Sequence, residues 1–304
     1  MLRQEPCFSN RWRYGGGMDE PTAHNLNHWE QLATFHGTGD DDYYDLEAIV
    51  AGGSRMGEPE RQALARATGP HGLQGKRVAH VQSHLGLDSV TMAREGAMVT
   101  AIDFSATALS RLKALAEQCG LDIATVEADS RNLPQTLNGT FDLAYATIGV
   151  LCWIDDVGAW MHSVERILKP GGQLVFVECH PLLTMIDTVE PLIMDFPYGG
   201  GKAFTFTGTG TYSNRDADLS WTTVQYPHSL GEIVTACVEA GLRLTYLEEH
   251  TGCDYSMGKI PGPEGDGYCR IRLGSGSPDG DPSVPGEPLP VLFTLIATKE
   301  NSSR

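Results

Sequence analysis

From Gly75 onward, short apolar runs alternate with segments whose apolar residues recur every three or four positions. KRVAHVQ predicts a strand over Arg77–Gln82, and DSVTMAREG a helix stopped by Gly96. AMVTAIDF predicts a second strand over Ala97–Phe104. SATALSRLKALAEQCG then reads as a helix. Ser105 is its N-cap, Leu109, Leu112 and Leu115 keep helical spacing, and Gly120 lies past its end. IATVEADS, FDLAYATIG and GGQLVFVECHP predict three more strands, with a helix over Asp156–Leu168 before the last of them. Near-continuous apolar strands alternating with helices imply a parallel sheet covered on both faces. Ligands of such sheets bind beyond the C-terminal strand ends.

The second half changes pattern. KAFTFTGTGTY and LSWTTVQY are β-rich and joined by polar SNRDAD, which predicts a hairpin inserted over about 200–227. SLGEIVTACVEAGL predicts a helix capped by Ser229 and ended by Gly241. RLTYLEE and PVLFTLIATK predict the closing strands. Residues from about 258 to 290, rich in Gly, Pro and Asp, read as an excursion loop. The first 74 residues contain no clear strand. HNLNHWEQLATFH and GEPERQALARAT look helical, so 1–74 is expected to be a lead-in with a helical cap over a Rossmann-like domain at 75–304.

Composition narrows the function. No apolar run is long enough for a membrane span, and MLRQEPCFSNRWRYGGG lacks the apolar core of a signal peptide. The seven cysteines are widely spaced with no Cys-x-x-Cys, which argues against a zinc or iron–sulfur site and favours reduced thiols. The formal net charge of −17 opposes binding to a phosphate backbone. The expectation is a cytoplasmic protein, monomer or homodimer, with a small-molecule partner and neither nucleic acid nor membrane.

Candidate chemistry lies at the strand ends. Asp103 closes the second strand, where a carboxylate accepts both hydroxyl hydrogens of a ribose; the alternative is a charge at a helix N-terminus. The loop after the first strand reads Gln82-Ser83-His84-Leu85-Gly86-Leu87-Asp88. Gly86 lets backbone approach a ligand, but Gly-x-Gly-x-x-Gly is absent, which argues against NAD and FAD. The alternative there is an ordinary turn with Asp88 capping a helix. Asp129 after the third strand suits an adenine amino group, with the Ser130 backbone donating to the ring, or is a solvated acid. His180 just past the fifth strand is the first candidate for a general base, with Glu178 to orient it or to bind an amine. The alternative is a capping role before Pro181. His24 and His28, four apart, are read as a solvated helix face rather than a metal pair. Asp40–Asp42 with Tyr43 and Tyr44 read as surface, or place a tyrosine at a cofactor's carboxylate end. Phe204, Phe206, Tyr212, Trp221 and Tyr226 either cover the sheet edge or form an apolar lid.

Five pieces, KRVAHVQSHLGLDSV, AMVTAIDFSATAL, VEADSRNLP, FDLAYATIGVLCW and ILKPGGQLVFVE, stand in order between Lys76 and Phe176. In this the segment resembles a class I S-adenosylmethionine-dependent methyltransferase. The chain from about Asn25 also resembles a bacterial subgroup with His-x-x-x-His (His80, His84), Gly149–Trp153, Glu178–Pro181 and His228–Ile233 motifs. The resemblance implies a doubly wound, mostly parallel seven-stranded sheet with an antiparallel final strand. It also implies S-adenosylmethionine as cofactor and methyl transfer to a small molecule. By that resemblance Gln82 to Gly86, with Gln82, Ser83, His84 and Gly86 among them, surround the methionine part, and Asp88 belongs to the cofactor site. Asp103 holds the ribose, with Phe104 and Ser105 beside it, and Asp129 and Ser130 meet the adenine edge. Thr147, Ile148 and Gly149 line the methionine and sulfonium. The common family pattern has an acid and a glycine-rich turn at the first loop; here stand His80, Gln82 and His84, and only Gly86 remains. Alternative functions are a cyclase or decarboxylase using the same cofactor, and a non-catalytic binding protein.

Overall fold

The computed structural model describes residues 18–39, 43–255, 260–274 and 286–301. The elements run α1 (Glu20–Phe35), α2 (Leu46–Val50), α3 (Glu58–Thr68), β1 (Arg77–Val81), α4 (Leu87–Arg94), β2 (Met98–Asp103), α5 (Ala106–Gln118) and β3 (Ala124–Glu127). Then come β4 (Phe141–Thr147), α6 (Val157–Ile167), β5 (Leu168–Cys179), α7 (Pro181–Met185), β6 (Ile186–Thr188), β7 (Ile193–Met194), β8 (Phe204–Thr209) and β9 (Ser220–Gln225). The chain closes with α8 (Leu230–Glu239), β10 (Leu242–His250) and β11 (Leu292–Lys299).

The main sheet has seven strands in the order β10-β11-β5-β4-β1-β2-β3. Pairings from β3 through β5 are parallel, and β11 runs antiparallel to both β5 and β10. The expected antiparallel last strand is therefore present, and it is buried along most of its length. Two apolar layers cover the sheet. One packs Phe141, Trp160, Phe176 and Phe293 under α6 and α8; the other packs Leu64, Val90, Leu112 and Tyr145 under α3, α4 and α5.

Ser105 caps α5, its Oγ accepting from Ala108 N at 3.0 Å. Ser229 and Glu232 form a reciprocal capping box on α8. The fifth strand begins earlier than expected, at Leu168, so that LKPGG lies inside β5 as an irregular widening, where pairing jumps from Phe141↔Leu168 to Leu143↔Gln173. Glycine is required there, because a Cβ on Gly172 would stand 2.9 Å from Lys169 O and 3.0 Å from Phe141 O. The third strand is shorter than its apolar run implied, ending at Glu127 on the open edge of the sheet.

The hairpin β8–β9 pairs antiparallel, with Phe206 opposite Thr223 and Gly208 opposite Trp221. Phe204, Phe206, Trp221 and Thr223 therefore share one face. Gly208 leaves room for the Trp221 ring, which an added Cβ would meet at 2.6 Å. Helix α1 lies against β9. The Asn25 side chain donates to Val224 O and accepts from Val224 N, both at 2.8 Å, and is buried. Parts of the 258–290 loop and all of Asp40–Asp42 fall outside the described residues. The described parts of that loop join Ile186 in a small third core with Cys253, Ile260, Cys269 and Ile271. Among the described residues no helix is long and apolar enough to cross a membrane.

Replacing Asn25 with Ala would leave the Val224 N–H and C=O buried and unpaired, each costing about 1–3 kcal/mol. Asn25→Ala is expected to lower unfolding free energy in urea by about 2–4 kcal/mol. A change within about 0.5 kcal/mol would show that the hairpin is held to α1 by other contacts.

Candidate functional site

The turn after β1 is built by three left-handed residues, Gln82 (φ 59°), His84 (φ 48°) and Gly86 (φ 65°). Only Gly86 adopts that conformation without strain, and a Cβ on it would meet Leu112 at 2.6 Å. The other two are held by hydrogen bonds. Gln82 Nε2 donates to Val150 O at 3.1 Å, and its Oε1 accepts from Trp160 Nε1 at 2.8 Å and Ser130 Oγ at 3.2 Å. His84 N donates to Asp103 Oδ2 at 2.8 Å, while its Nε2 is 2.9 Å from His36 Nδ1. The Gln82 side-chain amide is thus spent on bracing the strand ends. His80 is buried with Nδ1 2.8 Å from Ser89 Oγ, and burial pushes its ring down to about 3, so it stays neutral.

Asp103 ends β2 with its carboxylate accepting from His84 N and, at 2.9 Å, from Ser105 N. Burial pushes the carboxyl up to about 6 against the lowering effect of those donors. Phe104 follows it, half-buried. Above it, α1 comes down on the α5 N-terminus, where Glu30 accepts from the Thr107 hydroxyl and from Thr107 N at 3.4 Å.

The Asp129 carboxylate is engaged within the protein. It is paired with Arg131 (2.6 Å), which also pairs with Asp155 (2.5 Å) and donates to Thr22 Oγ1 at 2.8 Å. A buried guanidinium takes up the nearest carboxylates bidentately, and Asp129 is two residues away. Ser130 is buried beside it, its hydroxyl turned to Gln82.

At the end of β4, Thr147 is followed by Ile148 (φ 21°) and Gly149 (φ 82°). Glu178 accepts from Gly149 N (2.5 Å), Val150 N (2.8 Å), Leu151 N (3.0 Å) and Cys179 N (2.6 Å). Glu178 is therefore the anchor of this turn, and its expected service to His180 is corrected. His180 Nε2 is 2.7 Å from Glu249 Oε1, and its Nδ1 accepts from Leu182 N at 3.1 Å as the N-cap of α7. With both ring nitrogens hydrogen-bonded and only 2% of the residue exposed, the His180 imidazole presents no free lone pair. Asp88 is also not a helix cap: Gly86 holds that position, and the Asp88 carboxylate accepts from Tyr145 Oη at 2.9 Å and Thr147 Oγ1 at 3.3 Å.

An aromatic cover spans these strand ends. Trp29 of α1 packs on His84 (5.0 Å between centroids) and Trp153 (5.4 Å), and His36 stacks on Tyr44 (4.6 Å). Tyr44 hydrogen-bonds Tyr212 of the hairpin region. His28, expected on a solvated face, is buried against Trp221 (5.3 Å) and pushed down to about 4 by burial, while His24 is half-buried. Ser83 Oγ, His28 Nδ1, Trp153 Nε1 and Thr223 Oγ1 are buried and without a partner. Buried polar groups are normally paired, so these four stand out. Among the described residues no three His, Cys, Asp or Glu side chains converge to hold a metal. Trp29, Trp153 and His28 were not foreseen as a group, because they come from α1 and the turn after β4, far apart in sequence.

Comparison with known proteins bears on the domain and the fold. Residues 81–176 match the family model described as "Methyltransferase domain". A ubiquinone biosynthesis O-methyltransferase from Klebsiella pneumoniae (strain 342) is 31% identical over 158 residues, covering 51% of this chain and 62% of that protein. The chain thus matches less than two thirds of that relative's length. Magnesium protoporphyrin IX methyltransferase from Synechocystis PCC 6803, solved with bound S-adenosylhomocysteine, superposes with TM-score 0.52 at 11% identity, over 92% of this chain and all of that one. A structure solved for the conversion of a disulfide bond into a thioacetal group during echinomycin biosynthesis superposes with TM-score 0.55 at 17% identity, covering 92% and 95% of the two chains. The fold is that of class I S-adenosylmethionine-dependent methyltransferases.

The Asp103 carboxyl holds its proton more tightly when folded, at about 6, than an exposed aspartate near 4. The stability this contributes is full below about pH 4 and is lost as pH rises through about 6. Asp103→Asn is expected to remove about 2–3 kcal/mol of that pH dependence from the difference between the two unfolding curves. Parallel curves for the two proteins between pH 4 and pH 7 would refute it.

Proposed function

We propose that this chain is an S-adenosylmethionine-dependent methyltransferase acting on a small molecule. The observation that carries the reading is the pairing of a buried Asp103 carboxylate at the end of β2 with unpartnered polar atoms under an aromatic cover. In this reading Asp103 holds the ribose hydroxyls. The Ser130 backbone meets the adenine edge, and Thr147, Ile148 and Gly149 run along the methionine part.

A bound sulfonium supplies an already activated methyl group, so the protein has to position and desolvate. Trp29, Trp153 and His28 exclude water from the strand ends, and Glu178 fixes the turn that carries Gly149. With His180 committed to Glu249 and Leu182, the reading assigns the protein no base there. A deprotonated or neutral acceptor of low proton affinity, or a base brought by the substrate, fits that arrangement. The ubiquinone O-methyltransferase likeness over half the chain favours an oxygen acceptor. The net charge of −17 favours a small molecule over nucleic acid. We place the protein in the cytoplasm, as a monomer or homodimer.

Calorimetric titration with S-adenosylmethionine is expected to give a Kd of about 1–10 μM, weakened ten- to a hundredfold in Asp103→Ala, or about 1–3 kcal/mol. Turnover with an oxygen acceptor is expected to yield S-adenosylhomocysteine. Absence of adenosyl-ligand binding by the wild-type chain would sink the reading. Binding with a transformed acceptor but no S-adenosylhomocysteine would instead point to a cyclase or decarboxylase.

A further inference from the structure

Two thiols face each other beyond the seven-stranded sheet. Cys253 lies just past β10, Cys269 lies in the described part of the loop that follows, and the two form an isolated antiparallel bridge. Cys253 N donates to Cys269 O at 3.2 Å, and Cys269 N donates to Cys253 O at 2.8 Å. Residues that exchange both backbone bonds stand about 5.5 Å apart between Cα atoms, with their side chains on one face. A disulfide spans Cα separations of about 4.4–6.8 Å, so this pair is within reach without backbone movement. Both side chains are buried, in the small core with Ile186, Ile260 and Ile271. Among the described residues no other two cysteines are bridged in this way: Cys179 stands opposite Leu292, Cys119 ends α5 and Cys237 lies on α8.

The residues beside the two cysteines hold the start of α3. Next to Cys253, Asp254 Oδ1 accepts from Glu58 N at 3.0 Å, and the Tyr255 hydroxyl donates to Glu60 Oε1 at 3.1 Å. Next to Cys269, the Tyr268 hydroxyl donates to Glu58. Gly57, the N-cap of α3, leaves the room that the Tyr255 ring fills. Both sides of the bridge therefore grip the first turn of one helix of the N-terminal cap. Only the two backbone bonds and the packing around them keep those sides in register.

We propose that Cys253 and Cys269 are an oxidative modification site, closing into a cross-strand disulfide that staples the segment after β10 to the loop and fixes the grip on α3. Hydrogen peroxide is the oxidant. It gives one sulfur an oxygen, making a sulfenic acid and one water. The other thiol then displaces that oxygen as a second water, and the S–S bond forms. Two electrons pass from the sulfurs to the peroxide, whose O–O bond breaks. Burial pushes the Cys253 thiol up to about 11 and raises Cys269 as well, so little thiolate exists near neutral pH and closure is slow. The ladder sets the two Cβ atoms at about 5 Å, while a disulfide needs about 3.8 Å, so the bond is strained and a dithiol reopens it. Neither residue is among those assigned to the cofactor, so the site stands whether or not that reading holds.

The test uses the full chain, reduced, freed of reductant and held for hours with a small excess of hydrogen peroxide before remaining thiols are blocked with iodoacetamide. Mass spectrometry is expected to show a chain short of two hydrogens, with the Cys253 and Cys269 peptides joined. Dithiothreitol should restore both thiols. The joined species should be absent from Cys269→Ser and unchanged in Cys119→Ser. Amide hydrogen exchange in the first turn of α3 is expected to slow about tenfold on oxidation of the wild type and not of Cys269→Ser. Thiols that persist at 253 and 269, oxidation that stops at sulfinic acid, or a bond from Cys253 to Cys179 would each overturn the site. A bond that forms without slowing exchange in α3 would overturn the staple's hold on the cap. The wild-type peptide map decides the pairing even where a variant fails to fold.

Discussion

The buried carboxylate of Glu178 is the interaction on which the ligand side of this structure depends. It sits at the end of β5 and gathers the backbone N–H groups of Gly149, Val150, Leu151 and Cys179. A buried anion costs several kcal/mol unless such donors surround it. Meeting that demand forces the chain after β4 to fold back on β5, with Ile148 and Gly149 at positive φ. The next residues inherit their places from this turn. Val150 O receives the Gln82 amide, Cys152 O receives Tyr226 N at 2.8 Å, and Ile154 O lies 2.6 Å from His228 Nε2. One carboxylate thus connects the β1 loop, the hairpin and the start of α8.

The N-terminal cap is held to that frame mostly by polar contacts. Asn25 grips Val224, Arg131 reaches Thr22, Glu30 meets Thr107, and Arg111 donates to Ala33 O at 2.6 Å. Each is worth about 1 kcal/mol net, and more when charged and buried. The aromatic rings between cap and crevice add apolar burial. Ser83 Oγ and Trp153 Nε1 are buried beneath this cover.

Much of the sheet was legible because its signals are local. Apolar runs at 77–82, 97–104 and 141–149 became β1, β2 and β4 within two residues. Ser105 and Ser229 announced their helices by one hydroxyl each. What the sequence did not show has a common cause. LKPGG carries turn residues, yet its neighbours pull it into β5 as a widening. His28 has a polar side chain on a mixed helix, and only the arrival of Trp221 and Trp153 buries it. Asp129 and His180 stand at sites that suit a ligand, but Arg131 and Glu249 reach them first.

By itself the sequence determined the alternation of strands and helices and the acid at the end of β2, while the strand count and the antiparallel close came from its resemblance to the methyltransferase family. Strand and helix periods, caps and glycine stops act over a few residues, and connections are short. Only the tertiary structure decided which polar side chains are spent and which are vacant. Glu178, His180 and Gln82 look alike in sequence as strand-end candidates, but all three are committed to partners. Glu60 showed no signal in its helix, yet it ends with one oxygen buried and unpaired. Whether a carboxylate or imidazole is free depends on donors tens to hundreds of residues away. Those meet it only when the cap, the sheet and the segment after β10 pack together.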